Sequence, residues 1–343
     1  MSWFKSAKDV TVGVIGYGGA YNMGRCHLTE MKKAGMTPVA VAELDPARLV
    51  VARQDFPGIE TYRTADEMLR KSAVNLIVII TPHNTHAPLA LKCLKAGRHV
   101  IVEKPMAMTT TECDVMIAAA KKSKVVLSTY HNRHWDGHML GVLQAIRKGS
   151  IGEVVRVDVE MGNLAKPKDW WRTSRSISGG ILLDWGVHLC EYILQIVDSD
   201  ITEVSGFAKT GVWASQTQWK KDTNEDEGHV VVRFANGMWA SILITSLDGR
   251  AHQPWFKIIG TKGTMSVEWG ALEITTLDGE NRVTTRIPNP PSEGWRFYQN
   301  VADHLTKGKT LVITPEWARR PIHILDLASQ SAKRGHALKP KYK

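Results

Sequence analysis

The feature that most constrains the fold is a short apolar strand that opens into a glycine-rich turn near the start of the chain. The run 10–15 is rich in β-branched residues and is followed at once by Gly16, Gly18 and Gly19. A buried strand, a glycine turn and a helix place backbone N–H groups and a helix N-terminus where they can hold a pyrophosphate. The next predicted strand ends at Glu43, a position where a carboxylate can bind the hydroxyls of an adenosine ribose. This order predicts a dinucleotide-binding fold.

The alternation of strands and helices continues beyond this unit. Apolar strands are predicted at 75–80, 99–102 and 125–130, with helices at 87–96 and 111–123 between them. Elements of this spacing predict an α/β domain with a doubly wound parallel sheet of the Rossmann type, whose ligand lies at the carboxyl ends of the strands. We place the end of this domain near Tyr130, which divides the chain into 1–130 and 131–343.

Polar residues stand at two of these strand ends. The strand 75–80 runs into Thr81, Pro82, Asn84 and His86, and the strand 99–102 runs into Glu103, Lys104 and a proline. A lysine at a strand end is commonly no more than a surface charge. Here the buried strand and the proline are expected to hold Lys104 beside the cofactor, where a fixed ammonium would favour an alkoxide that develops on a substrate.

The stretch 179–188 begins with two glycines and reads as a loop running into a helix. On a helix, residues four apart share a face, so Asp184 and His188 are predicted to point the same way. A carboxylate one turn from an imidazole can orient the ring and raise its basicity, as a general base near neutral pH requires. The alternative interpretation is an acid at a helix N-terminus and a structural histidine.

The second half predicts an α+β domain with a large, mainly antiparallel open sheet. Apolar, alternating strands flank Asn236–Gly237 and again flank Asp278–Gly279, dipeptides typical of two-residue hairpin turns. The segment 316–334 is predicted to be a closing helix. Just before the glycine stretch, Trp171 and Arg172 are typical of a sugar-binding wall, because Trp faces pack on sugar C–H groups and Arg binds hydroxyls. An aromatic anchor under a loop is the alternative.

Composition narrows the class of partner. The 343 residues carry a formal charge of +10 that is spread along the chain without a nucleic-acid-binding motif, so we expect no nucleic-acid partner. No apolar run is long enough to span a bilayer, and the first residues lack the pattern of a signal peptide, so we expect a cytoplasmic protein without a membrane partner. The four cysteines are scattered, which favours reduced thiols over disulfides or a metal site.

The motifs in their order resemble the Gfo/Idh/MocA oxidoreductases, a family that includes glucose–fructose oxidoreductase and inositol dehydrogenases. The resemblance covers essentially the whole chain. Besides the glycine loop, it depends on Thr81–Pro82, Glu103–Lys104–Pro105, Asn132–Arg133, 149–153, Asp184 with His188, and 260–264. One departure is that the third loop glycine, Gly24 ahead of His27, comes a few residues later than the common pattern, so the amides that touch the pyrophosphate stay undetermined.

The resemblance implies hydride transfer between a nicotinamide and a secondary hydroxyl or ketone of a sugar, sugar derivative or inositol. In that chemistry His188 takes the hydroxyl proton, Lys104 stabilises the alkoxide, and Asp184 orients the histidine and the substrate. Glu43 repels a 2′-phosphate and favours NAD, while the nearby Arg48 leaves NADP possible. No metal is required, since the lysine supplies the positive charge.

The resemblance also defines the expected contacts. The cofactor set is Gly16, Gly18, Gly19, Gly24, Glu43, Thr81, Pro82, Asn84, His86, Glu103 and Lys104. The substrate set is Lys104, Asn132, Arg133, Trp171, Arg172, Asp184 and His188. The open sheet is expected to be covered by another subunit in a homodimer or homotetramer. Two other functions stay open: a glycosidase or lyase that retains NAD and acts by transient oxidation, and a non-enzymatic NAD(P)-binding regulator.

Overall fold

The computed structural model describes residues 3–250 and 254–342. The first part of the chain alternates strands and helices, as its apolar pattern predicts. The elements are β1 (Thr11–Ile15), α1 (Met23–Lys33), β2 (Thr37–Ala42), α2 (Pro46–Asp55), β3 (Glu60–Tyr62), α3 (Ala65–Lys71), β4 (Leu76–Ile79), α4 (His86–Lys95), β5 (His99–Val102), α5 (Thr110–Ser123) and β6 (Leu127–Thr129).

These strands form one parallel sheet in the order β3-β2-β1-β4-β5-β6. Every residue of β4 and β5 is buried, which is typical of strands covered on both faces. The strand order reverses between β1 and β4, and ligands of open α/β sheets bind outside the carboxyl ends of strands at such a point. The predicted doubly wound sheet is confirmed, and the glycine loop and the Thr81–Pro82 turn both follow strands at this reversal.

The second part of the chain carries longer strands. Its elements are α6 (Gly137–Arg147), β7 (Val154–Gly162), α7 (Arg175–Ser178), α8 (Ile181–Ile196), β8 (Ile201–Lys209), β9 (Glu227–Phe234), β10 (Trp239–Thr245), β11 (Phe256–Gly260), β12 (Gly263–Val267), β13 (Ala271–Asp278), β14 (Asn281–Pro288), α9 (Arg296–Lys307) and α10 (Pro315–Arg334). Among the described residues, none of the helices combines the length and the apolar character that a membrane crossing demands.

The second sheet has the order β14-β13-β12-β11-β7-β10-β9-β8. Among the described strands of this sheet, β7 and β10 are the one parallel pair, so the predicted open, mainly antiparallel sheet is confirmed. The two predicted hairpins join β9 to β10 and β13 to β14, and Gly237 and Gly279 take the positive φ that their turns require. Burial alternates along β9 and β10, and α8 packs on β10.

Residue contacts group the chain into two compact units. The first unit extends to Asn132 and resumes over Trp295–Arg319, and the second comprises Arg133–Gly294 and resumes at Arg320. Helix α9 therefore belongs with the parallel sheet, where the Leu305 carbonyl accepts a hydrogen bond from the Trp3 amide. The division into functional domains at 1–130 and 131–343 stays a prediction. A single boundary in the sequence cannot represent Trp295–Arg319, a later segment that packs with the first unit.

Two buried histidines should make the fold sensitive to acid. His99 on β5 and His138 on α6 are each 4% exposed. Burial lowers the pKa of both to about 4; the charge of His304 also lowers that of His99, while at His138 Asp136 opposes the shift and Arg133 adds to it. The unfolded chain takes up these protons near pH 6.5, so the stabilisation is complete above that pH and is lost as the pH falls towards 4.

We therefore expect the free energy of unfolding to fall on acidification by on the order of 3 kcal/mol for each histidine, because each pKa unit corresponds to about 1.4 kcal/mol. Urea unfolding at a series of pH values measures this. Carboxylates elsewhere in the chain titrate in the same range, so the informative comparison is with His138→Phe. The free energy of unfolding of this variant should depend less steeply on pH in acid. Parallel curves for the two proteins would contradict the assignment.

Candidate functional site

The glycine loop after β1 combines one glycine that the fold requires with one that leaves space. Gly16 has φ +100°, and a Cβ there would lie 2.6 Å from the Ile80 carbonyl oxygen. Gly18 lies outside the left-handed region, and no described atom would come within 4 Å of a Cβ added to it. The loop thus has open space above its second glycine, followed by the start of α1, an arrangement that fits a pyrophosphate.

The third loop glycine, Gly24, has a different structural role. A Cβ on Gly24 would lie 2.5 Å from Cδ2 of Tyr17, whose ring is 2% exposed. The Tyr17 hydroxyl donates to Asp55 Oδ2 at 2.8 Å. Burial, and to a smaller extent this hydrogen bond, raise the pKa of Tyr17 well above its ordinary value. Gly24 therefore leaves room for a buried ring within the longer loop, and its place among the cofactor contacts stays a prediction.

Glu43 follows β2 and is fixed beside the glycine loop. Its Oε2 accepts from the Tyr17 amide at 2.6 Å, and its Oε1 accepts from the Asp45 amide at 3.0 Å. Each carboxylate oxygen has a second lone pair, so Glu43 can still accept from ribose hydroxyls. Arg48 donates from Nε to the Tyr17 carbonyl at 3.0 Å, and its guanidinium lies 2.8 Å from where a Cβ of Gly19 would stand. This arginine therefore braces the loop.

The two glycines give a matched pair of variants. Gly16→Ala should lower the free energy of unfolding by about 2 kcal/mol or more, since it combines a backbone clash with a strained φ. Gly18→Ala should leave the denaturation midpoint unchanged and weaken NADH binding by about tenfold or more, because the methyl group occupies the space above the loop. Urea unfolding and NADH fluorescence titration measure the two effects. Wild-type NADH affinity in Gly18→Ala would argue against pyrophosphate contact there.

The turn after β4 separates an exposed side chain from a buried one. Thr81 and Thr85 share a hydrogen bond of 2.6 Å between their hydroxyl oxygens, and Thr85 Oγ1 also donates to the Pro82 carbonyl. Asn84 is exposed, which suits a ligand contact. His86 is fully buried, with Nε2 2.8 Å from the Thr81 carbonyl oxygen and Nδ1 2.7 Å from the Pro105 carbonyl oxygen.

Glu103 contacts protein atoms with both carboxylate oxygens. Oε1 lies 2.9 Å from Nε2 of His27, and Oε2 accepts from the Lys104 amide at 2.9 Å. Burial alone would raise the pKa of Glu103, but the hydrogen bond and charge of His27 and the charge and amide of Lys104 together hold it below its ordinary value. The carboxylate is thus charged and fixed. The Lys104 side chain is half-buried, and its peptide bond to Pro105 is cis.

Helix α8 begins at the predicted glycine pair, and its first turn is capped by a residue that the sequence analysis missed. Gly180 has φ +113°, and a Cβ there would lie 2.6 Å from Glu225 Oε2. The same oxygen accepts from the Ile181 amide at 3.1 Å, while Glu225 Oε1 pairs with Arg175 at 2.9 Å. A buried carboxylate at a helix N-terminus is stabilised by the unpaired amides and the helix dipole. No local pattern marks Glu225.

Asp184 forms an ion pair with Arg172, and both side chains are 20% exposed. The Arg172 guanidinium also lies over the rings of Trp171, at 4.7 Å, and Trp170, at 5.6 Å. The expected substrate wall is therefore joined to α8 through its arginine. Water reaches both partners, so a polyol can compete for or bridge the two charged groups.

His188 and the expected substrate residue Arg133 both contact the ring of Trp185. The His188 ring, 4% exposed, makes an edge contact with Trp185 at 5.7 Å, and the Arg133 guanidinium lies 5.1 Å from the centre of that indole ring. Arg133 also donates to Asp136 at 3.1 Å. Asn132, which ends the first segment of the first unit, is half-buried.

The structure contains a histidine–carboxylate pair that was not predicted from the sequence. His134 Nδ1 lies 2.5 Å from Oε1 of Glu191, which is 1% exposed and also accepts from Gln195 at 2.8 Å. Glu191 stands three residues after His188, and that helical spacing is the one signal by which the sequence could have indicated it. Acids one turn on either side of His188, Asp184 and Glu191, thus each have a cationic or protonatable partner.

The predicted catalytic residues are divided between the units: Lys104 lies in the first, and Asp184 and His188 in the second. Within the described part of the chain, no group of three or more His, Cys, Asp or Glu side chains is arranged to hold a metal ion.

Comparisons with known proteins match both halves of the chain. A family model described as the NAD-binding Rossmann fold of the GFO/IDH/MocA oxidoreductases matches residues 10–131, and the model of the C-terminal domain matches 139–266. The chain is 24% identical to scyllo-inositol 2-dehydrogenase (NADP(+)) of Bacillus subtilis over 96% of this chain and 95% of that protein. It is 28% identical to myo-inositol 2-dehydrogenase of Thermotoga maritima over 74% and 73%. An NAD-binding protein from Listeria innocua has a similar crystal structure, with a TM-score of 0.82, 26% identity and 97% coverage of each chain.

Proposed function

Because the chain belongs to the Gfo/Idh/MocA family of NAD-binding oxidoreductases, we propose that it transfers hydride between a nicotinamide and a secondary hydroxyl or ketone of a sugar, sugar derivative or inositol. The observation that carries the proposal is that one chain keeps both the open glycine loop with Glu43 and the set Lys104, Asp184 and His188. The names of the two inositol dehydrogenases support a polyol as the substrate.

NAD is the proposed cofactor. The Glu43 carboxylate is held in place by two backbone amides, where it would repel a 2′-phosphate and accept from free ribose hydroxyls. Arg48 would be the natural partner of a 2′-phosphate, but it donates to the Tyr17 carbonyl and braces the loop. NADP stays possible, as the relative that uses it indicates.

In this proposal, residues of the chain transfer the substrate proton and stabilise the charge that develops on the substrate. When bound, the nicotinamide supplies the hydride acceptor or donor. His188 takes the proton of the substrate hydroxyl, and the Lys104 ammonium stabilises the alkoxide that remains. Asp184 orients the histidine and the substrate, and its ion pair with Arg172 fixes the carboxylate without closing it off from water. Asn132, Arg133 and Trp171 bind the rest of the polyol.

We also propose that the second sheet forms a homodimer or homotetramer interface. Several of its strands expose large apolar side chains; among them, Phe207 on β8 is 61% exposed and Trp239 on β10 is 39% exposed. Burial of such residues against another copy would remove apolar area from water. Light scattering of the purified protein tests this. The cytoplasmic location stays a prediction.

The experiment that tests the function is nicotinamide absorbance while the purified protein, with NAD or NADP, meets a panel of inositols, aldoses, sugar acids and glycosides. We expect absorbance to rise with one class of polyol. No rise with any class, together with cofactor that survives purification and release of a leaving group from a glycoside, would favour the alternative, a glycosidase or lyase with retained NAD. No turnover of any kind would favour a regulator.

A further inference from the structure

Two fully buried histidines hold the turn that carries Lys104, one from each side. His27 lies on α1, and His86 is the first residue of α4; both are 0% exposed. A fully buried side chain cannot reach a ligand without rearrangement of the protein around it. Each ring instead contacts a residue next to Lys104: His27 contacts the Glu103 carboxylate, and His86 contacts the Pro105 carbonyl.

On the amino side of Lys104, the connection runs through Glu103. His27 Nε2 lies 2.9 Å from Glu103 Oε1, and the other oxygen of that carboxylate accepts the Lys104 amide. Since a carboxylate only accepts, His27 donates from Nε2, and its Nδ1 lies 2.5 Å from the Tyr298 hydroxyl oxygen. Burial raises the pKa of Tyr298 well above its ordinary value, which keeps this hydroxyl protonated.

On the carboxyl side, the connection runs through the backbone of Pro105. His86 Nδ1 lies 2.7 Å from the Pro105 carbonyl oxygen, and Nε2 lies 2.8 Å from the Thr81 carbonyl oxygen. Carbonyl oxygens only accept, so the ring is the donor to them through its N–H. This histidine therefore ties the end of β4 to the residue after Lys104.

We propose that His27, through Glu103, and His86, through Pro105, are positioning residues that fix the backbone of Lys104 and thereby aim its ammonium. A lysine side chain has four rotatable bonds, so the place of its charge depends on a firm backbone anchor. A displacement of about 1 Å at a reacting group can cost about 100-fold in rate. The inference rests on the proposed catalytic role of Lys104. Glu103 and His86, which the sequence predicts as cofactor contacts, thereby act on the reaction indirectly, through the position of Lys104.

The test compares Glu103→Gln and His86→Gln with a matched control, His99→Gln. His99 is also a buried histidine of this sheet, but it lies at the opposite end of β5, where Nδ1 accepts from the Val126 amide at 3.0 Å. We expect the two positioning variants to lower kcat by about 10- to 100-fold with NADH affinity within a few-fold of wild type. His99→Gln should lose stability but keep kcat. An equal loss of kcat in all three would overturn the inference.

A double-mutant cycle separates this inference from the proposed function. In a Lys104→Ala background, Glu103→Gln and His86→Gln should lower kcat no further, because the group they aim is gone. Additive losses would overturn the positioning role. Full turnover in Lys104→Ala alone would instead refute the role of the lysine, which is a separate result.

A second measurement needs neither substrate nor cofactor. Limited acetylation with peptide mapping gives the reactivity of the Lys104 amine relative to the exposed Lys71 in the same chain. We expect this ratio to change at least twofold in His27→Gln, Glu103→Gln and His86→Gln and to stay constant in His99→Gln. If the variants on one side of Lys104 do not fold, the ratio in a folded variant on the other side still tests the inference. A constant ratio in every folded variant would overturn the inference.

Discussion

Lys104→Ala should lower kcat by about 100- to 1,000-fold, the range seen when one group that stabilises a developing oxyanion is removed. The lysine follows the fully buried strand β5, and its backbone amide donates to the Glu103 carboxylate. The backbone from which the ammonium extends is therefore fixed. The substrate identified in the nicotinamide panel provides the assay, and NADH titration should give an affinity within a few-fold of wild type.

The control for this variant is Lys95→Ala, which removes an exposed lysine at the end of α4. It should have wild-type kcat and a wild-type denaturation midpoint. Lys104→Arg separates charge from geometry: if only a positive charge mattered, the arginine would retain most of the activity, but a larger planar group in a fixed turn should restore little. Unchanged turnover in Lys104→Ala would rule out the proposed role of the ammonium.

His188→Gln should lower kcat by about 100- to 10,000-fold and remove the acid limb of the pH–rate profile for alcohol oxidation. A general base contributes in that range, and only an ionisable base produces that limb. The ring is 4% exposed and packs edge-on against Trp185, so glutamine keeps most of the volume without a titratable group. The measurement is kcat and kcat/KM across pH with the substrate found in the panel.

The sharpest comparison is with His134→Gln, because His134 pairs with Glu191 of α8, one turn after His188, at 2.5 Å. If His188 is the base, the acid limb persists in His134→Gln. The reverse pattern, with the limb kept in His188→Gln and lost in His134→Gln, would move the assignment to the missed pair. His138→Gln serves as a control for the loss of a buried histidine in the same unit.

The sequence by itself determined the local elements and their order. Strand, glycine turn and helix follow from β-branched runs and from glycines at positions such as Gly16, where other residues are strained. The hairpin at Asn236–Gly237 follows from the positive φ its turn requires, and the shared face of Asp184 and His188 follows from the helical repeat. These features depend on neighbours within a few residues, so their information is present in a short window of sequence.

The tertiary structure alone decided which partners those residues meet. Glu225 caps α8 from 44 positions away, His27 joins Glu103 across 76 positions, and Tyr298 reaches His27 across 271. Arg172, predicted as a substrate contact, pairs with Asp184, and His86, predicted as a cofactor contact, lies against two carbonyl oxygens. Side-chain hydrogen bonds and ion pairs form between whatever groups the packed core brings within about 3 Å, and one sequence has no local pattern that encodes such distances.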